Sequence, residues 1–220
     1  MSKEVTNKAL FENVNPLIKD YFDKAEYPWE LLPKIRKILA NLIEIGLKGY
    51  QEIAPMVFVE EGVFIAKNAT IIGPCIIGKG TEIRPNAYIR GDVFIGENCI
   101  IGNATELKNS ILLDNVNVPH YNYVGDSILG SFAHMGAGAV CSNVRSDNKD
   151  VIIHGDVDYP THLWKVGAFL GDHVEIGCGA VLNPGVIIGK DTSVYPLTSC
   201  RGVYPKDSII KSTFEVIQRL

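Results

Sequence analysis

The stretch IAPMVFVEEGVFIAKNATIIGPCIIGKGTEIRPNAYIRGDVFIGENCIIGNATELKNSILL (residues 53–113) decides the fold. Within it Ile53, Val59, Ile65, Ile71, Ile77, Ile83, Ile89, Ile95, Ile101, Leu107 and Leu113 stand six apart. The fourth residue after each anchor is small or β-branched in most hexads: Val57, Val63, Ala69, Cys75, Thr81, Ala87, Val93, Cys99 and Thr105. Gly, Asn, Pro and Asp crowd the positions between. A period of six suits neither the 3.6 of a helix nor the 2 of a free strand. It suits a triangular solenoid, in which each hexad makes one short strand and one corner. Three hexads, about 18 residues, then complete a coil. The anchor points into the prism, the small residue fills the corner, and stacked coils pair backbone to backbone at about 4.8 Å.

Outward from this stretch the rhythm breaks and returns. After Leu113, Pro119 takes the next anchor slot and PHYNYVGDS follows. Leu129 and Met135 resume in a shifted phase. SNVRSDNKD (142–150) and GDVDYPTHLWKVG (155–167) then leave the coil. Leu170, Ile176, Leu182, Ile188 and Val194 restore the period. Interruptions of a solenoid map to loops, and loops on a rigid scaffold often carry function. The spacing therefore predicts a mainly β protein: a parallel β-helix over 53–210, loops at 119–128 and 142–167, and a tail at 211–220.

Residues 1–52 differ in composition. Nineteen of the 21 glycines follow them. Asn15-Pro16 is a helix start, a capping side chain followed by proline where no N–H is needed. Leu17, Ile18, Tyr21 and Phe22 share one face. A second helix is predicted from near Trp29, with Leu31, Leu32, Ile35, Ile38, Leu39, Leu42 and Ile43 as its stripe and Gly46 or Gly49 as its end. This short α-helical segment is expected to cap the open first coil or to make a subunit contact, because an unpaired sheet edge invites aggregation.

Composition bounds the function. The formal net charge of −4 argues against a nucleic-acid binder, which needs a basic face to displace counterions. No apolar run approaches the ~20 residues that cross a bilayer, and MSKEVTNKALFENVNP has no apolar core of a signal peptide. The five cysteines, an odd number without a CxxC pair, suit reduced thiols in a cytoplasmic protein. Histidines 120, 134, 154, 162 and 173 have neither the spacing nor the stacking of a three-histidine zinc site, so no metal is predicted.

Stacking turns sequence distance into proximity. Arg90 and Lys108 are 18 apart and each follows an anchor, so they are predicted to form a two-cation column. Arg84, Gly102 and His120 form a second predicted column. Stacked cations repel unless an anion sits between them. The column is therefore an anion site, phosphate among the candidates, or a pair of solvated surface charges. His120 gains interest from its place where the repeat breaks, among Tyr121, Asn122, Tyr123 and Asp126.

VPHYNYVGDSILG followed by HMGAGAVCSN, with NSILLDN upstream, resembles the acetyltransferase domain of the bifunctional N-acetylglucosamine-1-phosphate uridyltransferase/glucosamine-1-phosphate acetyltransferase family and related sugar-phosphate nucleotidyltransferases. The likeness covers about residues 57–210. It implies a homotrimeric left-handed β-helix with active sites between subunits, moving an acetyl group from acetyl-CoA, a co-substrate, to the amine of an amino-sugar 1-phosphate. By motif His120 matches the general base. Arg90 (or Arg84) and Lys108 match cations for the sugar phosphate, and Tyr123 a substrate-contacting tyrosine. Asn143 and Lys149 match residues that position substrate across the subunit boundary, and Cys178 and Pro196 match positions lining the acetyl-CoA groove. His134 stands at a substrate position where the family usually has asparagine. The loop at 155–167 is longer than the family's, and the G-x-G-T-R loop of a uridyltransferase half is absent from this chain. The alternative is a non-catalytic trimeric scaffold that binds sugar phosphate or partners a separate nucleotidyltransferase.

Overall fold

The computed structural model describes residues 3–219; Met1, Ser2 and Leu220 lie outside the described residues. The chain is mainly β, a left-handed parallel β-helix with a short helical segment before it. Three sheets form the faces of the prism, with nine, nine and seven strands. Successive strands of a coil pass from the first face to the second, then to the third. Within the helix each strand pairs in parallel with its counterparts one coil away.

The anchors from Val59 to Leu107 point into the prism, where those from Ile77 onward are fully buried. Two positions of the hexad series do not. Ile53 is 47% exposed and lies outside the coil, in the strand Tyr50–Ala54, which pairs antiparallel with Val57–Glu60. At the other limit Leu112, not Leu113, pairs with Ile95 and fills the prism. The rung after Leu107 is one residue short, so Leu113 turns outward to a second apolar cluster. Coils in this stretch hold seventeen residues: Val118 pairs with Ile101, and Val124 with Leu107. The slip also corrects a predicted column. Gly102 is stacked on Pro119, while His120 pairs with Asn103. Residues 119–128 are no loop, because Asn117–His120 and Tyr123–Gly125 are rungs of the second and third faces. The excursion over 142–167 does leave the coil, and within it Ile152–His154 and Asp158–Pro160 pair as an antiparallel hairpin.

Buried hydroxyls replace apolar corner residues where the backbone needs a partner. Thr81 Oγ1 donates to the Gly96 carbonyl at 2.8 Å and accepts from Cys99 N at 3.0 Å. The cysteines are all free thiols. Cys75, Cys99, Cys141 and Cys200 are buried, and burial pushes the Cys141 thiol up to about 12.

The helices of the N-terminal segment do not sit over the open end of the β-helix, where only its last residues, 50–52, pair with the first rung. They form a strap along the outside of the first face, built from α1 (Asn7–Leu10), α2 (Lys19–Lys24) and α3 (Ile35–Ile45). Asn15-Pro16 opens a turn rather than α2. Asn15 Oδ1 accepts from Leu17 N, and its amide donates to Asp114 Oδ1 at 2.9 Å. Short 3-10 turns over Pro28–Glu30 and Leu32–Lys34 delay α3 to Ile35, since Pro33 cannot donate within a helix. Gly46, with φ +98°, ends α3. Ile18, Phe22, Trp29, Ile35 and Leu39 are buried against Ile76, Phe94, Ile111, Ile128, Phe169 and Ile187 of the first face. Strands of that face are therefore apolar on both sides and read as unbroken buried triplets, such as Val93–Ile95 and Val186–Ile188.

Polar pins fix the strap. Asp172 is 1% exposed and accepts from the backbone N–H of Glu12, Asn13 and Ser131 at 2.9, 3.2 and 2.8 Å. Removing residues 1–48 would bare Phe94, Phe169 and their neighbours as one patch, which soluble proteins avoid. The expected result is aggregation, read by size-exclusion chromatography. A monodisperse truncated protein would show that the strap is dispensable.

Candidate functional site

Alternation along a rung sends Leu107 and Val124 inward, so Glu106, Lys108 and Tyr123 face outward on the third face. Leu107 pairs with Ile89, which places Arg90 and Lys108 on the same side, one coil apart. The predicted column exists, but the chain supplies its own anions. Arg90 Nη1 contacts Glu106 Oε1 at 2.7 Å, and this bond raises the guanidinium's pKa above its ordinary value. Lys108 Nζ lies 3.0 Å from each carboxylate oxygen of Asp126.

Asp126 is the hub, at the corner between the third and first faces. It is 3% exposed and also accepts from Asn109 Nδ2 at 2.8 Å and Asn143 Nδ2 at 2.6 Å. The same Asn143 nitrogen lies 3.1 Å from the Tyr123 hydroxyl, to which it donates. Burial pushes the Tyr123 phenol up from its ordinary range. The structure thus gathers Lys108, Tyr123 and Asn143 around a carboxylate, one coil from Arg90. Asp126 and Asn109 lie in the quoted stretches PHYNYVGDS and NSILLDN, where neither is given a role, and they are seventeen residues apart. Once the shortened coil is recognised, their stacking follows. A hydrogen bond to a buried charged group contributes more than a neutral one. Replacing Lys108 with Met is expected to cost about 2 kcal/mol, read as a lowered urea midpoint, because Asp126 keeps its burial and loses its cation.

His120 ends the rung Asn117–His120, at the corner where the second face gives way to the third. Its side chain is exposed. Its backbone is fixed on both sides: N–H donates to Asn122 Oδ1 at 3.1 Å, and the carbonyl accepts from Gly138 N at 3.0 Å. Asn122 is itself buried and donates to the Gly136 and Ala139 carbonyls, so it ties this corner to the coil below. Tyr121 holds a left-handed φ of +52°, a strained conformation for a tyrosine, and is 63% exposed beside the histidine.

A groove of about 260 Å³ on the second face collects His134, Cys178 and Pro196. Its floor can form because Gly177 lies against the Tyr195–Pro196 backbone, where a Cβ would not fit. His134 pairs with Glu175 in the ladder, and its Nδ1 lies 2.8 Å from Glu175 Oε2. Glu175 is a partner that spacing alone hides, since the 142–167 excursion separates it from His134. Cys178 is the exposed cysteine. Lys149 stays apart, in the exposed loop, with its backbone N–H donating to Asp147 Oδ1. Arg84 contacts Glu82 rather than the column. Among the described residues no group of three or more His, Cys, Asp or Glu is placed to hold a metal, and no helix is long and apolar enough to cross a membrane.

A family model described as the GMPPB C-terminal domain matches residues 71–159. The chain is 34% identical over 218 residues to the bifunctional protein GlmU of Methanococcus aeolicus, covering 91% of this chain and 49% of that protein. It is also 34% identical over 202 residues to a bifunctional sugar-1-phosphate nucleotidylyltransferase/acetyltransferase of Sulfurisphaera tokodaii, covering 85% and 50%. The chain spans about half the length of these curated relatives. Among solved structures, the acetyltransferase domain of PglB from Neisseria gonorrhoeae in complex with acetyl coenzyme A is 18% identical, with 79% of this chain and 60% of that one covered and a TM-score of 0.38.

Proposed function

Because this chain is a hexapeptide-repeat protein of the kind that forms the C-terminal half of the bifunctional GlmU proteins, we propose that it is an acyltransferase moving an acetyl group from acetyl-CoA to the amine of an amino-sugar 1-phosphate. The observation that carries this reading is the third face. One short rung separates His120, open at its corner, from the cluster of Lys108, Tyr123 and Asn143 around Asp126.

In this mechanism the sugar phosphate docks at the Arg90–Lys108 column, exchanging its oxygens for those of Glu106 and Asp126. Charge-assisted bonds to a phosphate replace charge-assisted bonds to carboxylates, so the exchange costs little. Tyr123 and Asn143 orient the sugar. The amine attacks the thioester carbonyl, and His120 takes the proton released as the N–C bond forms. An imidazole suits that task because a neutral ring presents one nitrogen lone pair to accept the proton. Acetyl-CoA lies along the groove of Cys178 and Pro196. Closed threefold assembly brings Lys149 of one copy to the site of the next, which gives this exposed residue a substrate to meet, while Asn143 stays in its own chain's cluster. The free thiols agree with a cytoplasmic setting.

The test is thiol release from acetyl-CoA with a panel of amino-sugar phosphates. Turnover with glucosamine 1-phosphate or a near relative supports the reading. No thiol release with any member, at a protein concentration that keeps the assembly intact, overturns it. A second reading is favoured by one observation: both cations of the column already hold carboxylates. It makes the chain a non-catalytic scaffold that binds sugar phosphate or a separate nucleotidyltransferase. Calorimetric binding of sugar phosphate without turnover of acetyl-CoA would favour it.

A further inference from the structure

Two histidines occupy adjacent coils of the second face. Asn117, three residues before His120, pairs directly with His134. They differ in what holds the ring. Among the described residues no side chain hydrogen-bonds the His120 ring, whereas His134 Nδ1 has the Glu175 carboxylate at 2.8 Å. A carboxylate on Nδ1 fixes the tautomer with the proton on that nitrogen and leaves the Nε2 lone pair free to accept. This is the base-and-orienter arrangement of a proton-transfer site. It lies in the groove that also holds Cys178 and Pro196.

The proposed chemistry has a step that one base does not cover. The amine of an amino sugar is largely an ammonium ion near neutral pH, like an α-amino group. An ammonium nitrogen has no lone pair with which to attack. Two protons must leave that nitrogen, one before attack and one as the amide forms. A thiolate must also leave the carbonyl carbon.

We propose that His134, oriented by Glu175, takes the first proton from the acceptor's ammonium group and passes it to the departing CoA sulfur. The inference rests on the acyl-transfer reading above. The atoms balance. His134 Nε2 accepts H⁺ from R–NH₃⁺, and the freed amine forms the N–C bond. His120 takes the second proton. The C–S bond breaks with its electron pair on sulfur, and the His134 imidazolium returns its proton there, giving CoA thiol. His134 ends as it began, and the net proton released leaves through His120. The titratable and charged groups around His134 are Glu175 and Cys178 in the groove and His120 on the coil above. Arg219 reaches the groove through its bond to Ser193 Oγ, and His173 stacks on Phe132 at the upstream corner.

The test is kcat/KM for acetyl transfer from acetyl-CoA, measured from pH 6 to 9.5 on the full chain. It uses the amino-sugar phosphate that turns over best, and compares wild type, His134→Ala and Glu175→Gln. His134→Ala is expected to fall about 100-fold near pH 6.5 and to recover to within about 3-fold of wild type at pH 9.5, where the acceptor is already a free amine. Glu175→Gln is expected to lose about 10-fold at low pH with the same recovery, because it orients rather than carries the proton. Circular dichroism and gel filtration check that both variants fold. A loss equal at every pH, or no loss, overturns the proposal while leaving acyl transfer standing. Absence of turnover in wild type overturns the acyl-transfer reading and this inference with it.

Discussion

Replacing His120 with alanine lowers kcat by about 100- to 10,000-fold at every pH while the fold stays intact. Both halves of that expectation come from the corner on which the residue stands. The side chain is exposed, and Asn122 and Gly138 hold the residue through its backbone N–H and carbonyl, which an alanine keeps. Surface substitutions of this kind change stability by about 0.5 kcal/mol or less. Activity depends on the ring itself if it takes the proton that leaves the amine. Initial rates of thiol release, with circular dichroism on the same sample, separate the two effects. Near-wild-type rates would remove His120 from the mechanism and leave His134 as the candidate base.

Gly102→Ala is expected to damage both stability and activity. Gly102 stacks on Pro119, and a Cβ at this position would run into the Pro119 backbone. Backbone on both sides leaves no flexible side chain to give way. Coils of the prism must then separate at the rung that carries His120. Overpacking of a well-filled interior costs about 1–3 kcal/mol when side chains can adjust. A clash against backbone belongs at or above the upper end of that range, about 3 kcal/mol. Thermal unfolding should show a fall in Tm, and activity per folded molecule should drop because Pro119 immediately precedes His120. An unchanged Tm would mean that the coils at this corner are less tightly stacked than described.

The prism was legible in the sequence because nothing but a three-rung coil asks for an aliphatic residue every six positions. Its limits were not, for two physical reasons. Ile53 satisfies the period by position yet belongs to a strand that turns back on the first coil. Leu113 satisfies it because the outer side of the first face is also apolar. A one-residue slip there exchanges one buried leucine for another, Leu112 for Leu113, without leaving a polar residue in the interior. The place of the strap was readable in principle. Triplets such as VFI (93–95) and AFL (168–170) have no polar member, which is the mark of a strand covered on both sides.

The candidate site was partly legible for the same reason. Arg90 above Lys108 follows from an 18-residue coil and holds, because the slip lies beyond Leu107. His120 above Gly102 lies across the slip and fails by one residue. Asp126 was visible beside His120, but its stacking on Asn109 was hidden by a coil one residue short, and Glu175 was hidden by the 142–167 excursion. Each is a carboxylate whose meaning depends on what is stacked against it, and stacking is the information a broken period withholds.

The strand Tyr50–Ala54 has a counterpart at the far end of the helix, where Glu215–Gln218 runs antiparallel to Ser208–Ser212. A ladder of identical three-sided coils could in principle grow without limit, each copy seating its last rung on the first rung of another. Growth of that kind needs all three sides to continue in parallel at once. A reversed strand laid over one side at each terminus denies it that condition. The molecule is thereby a particle of fixed length rather than a segment of a filament.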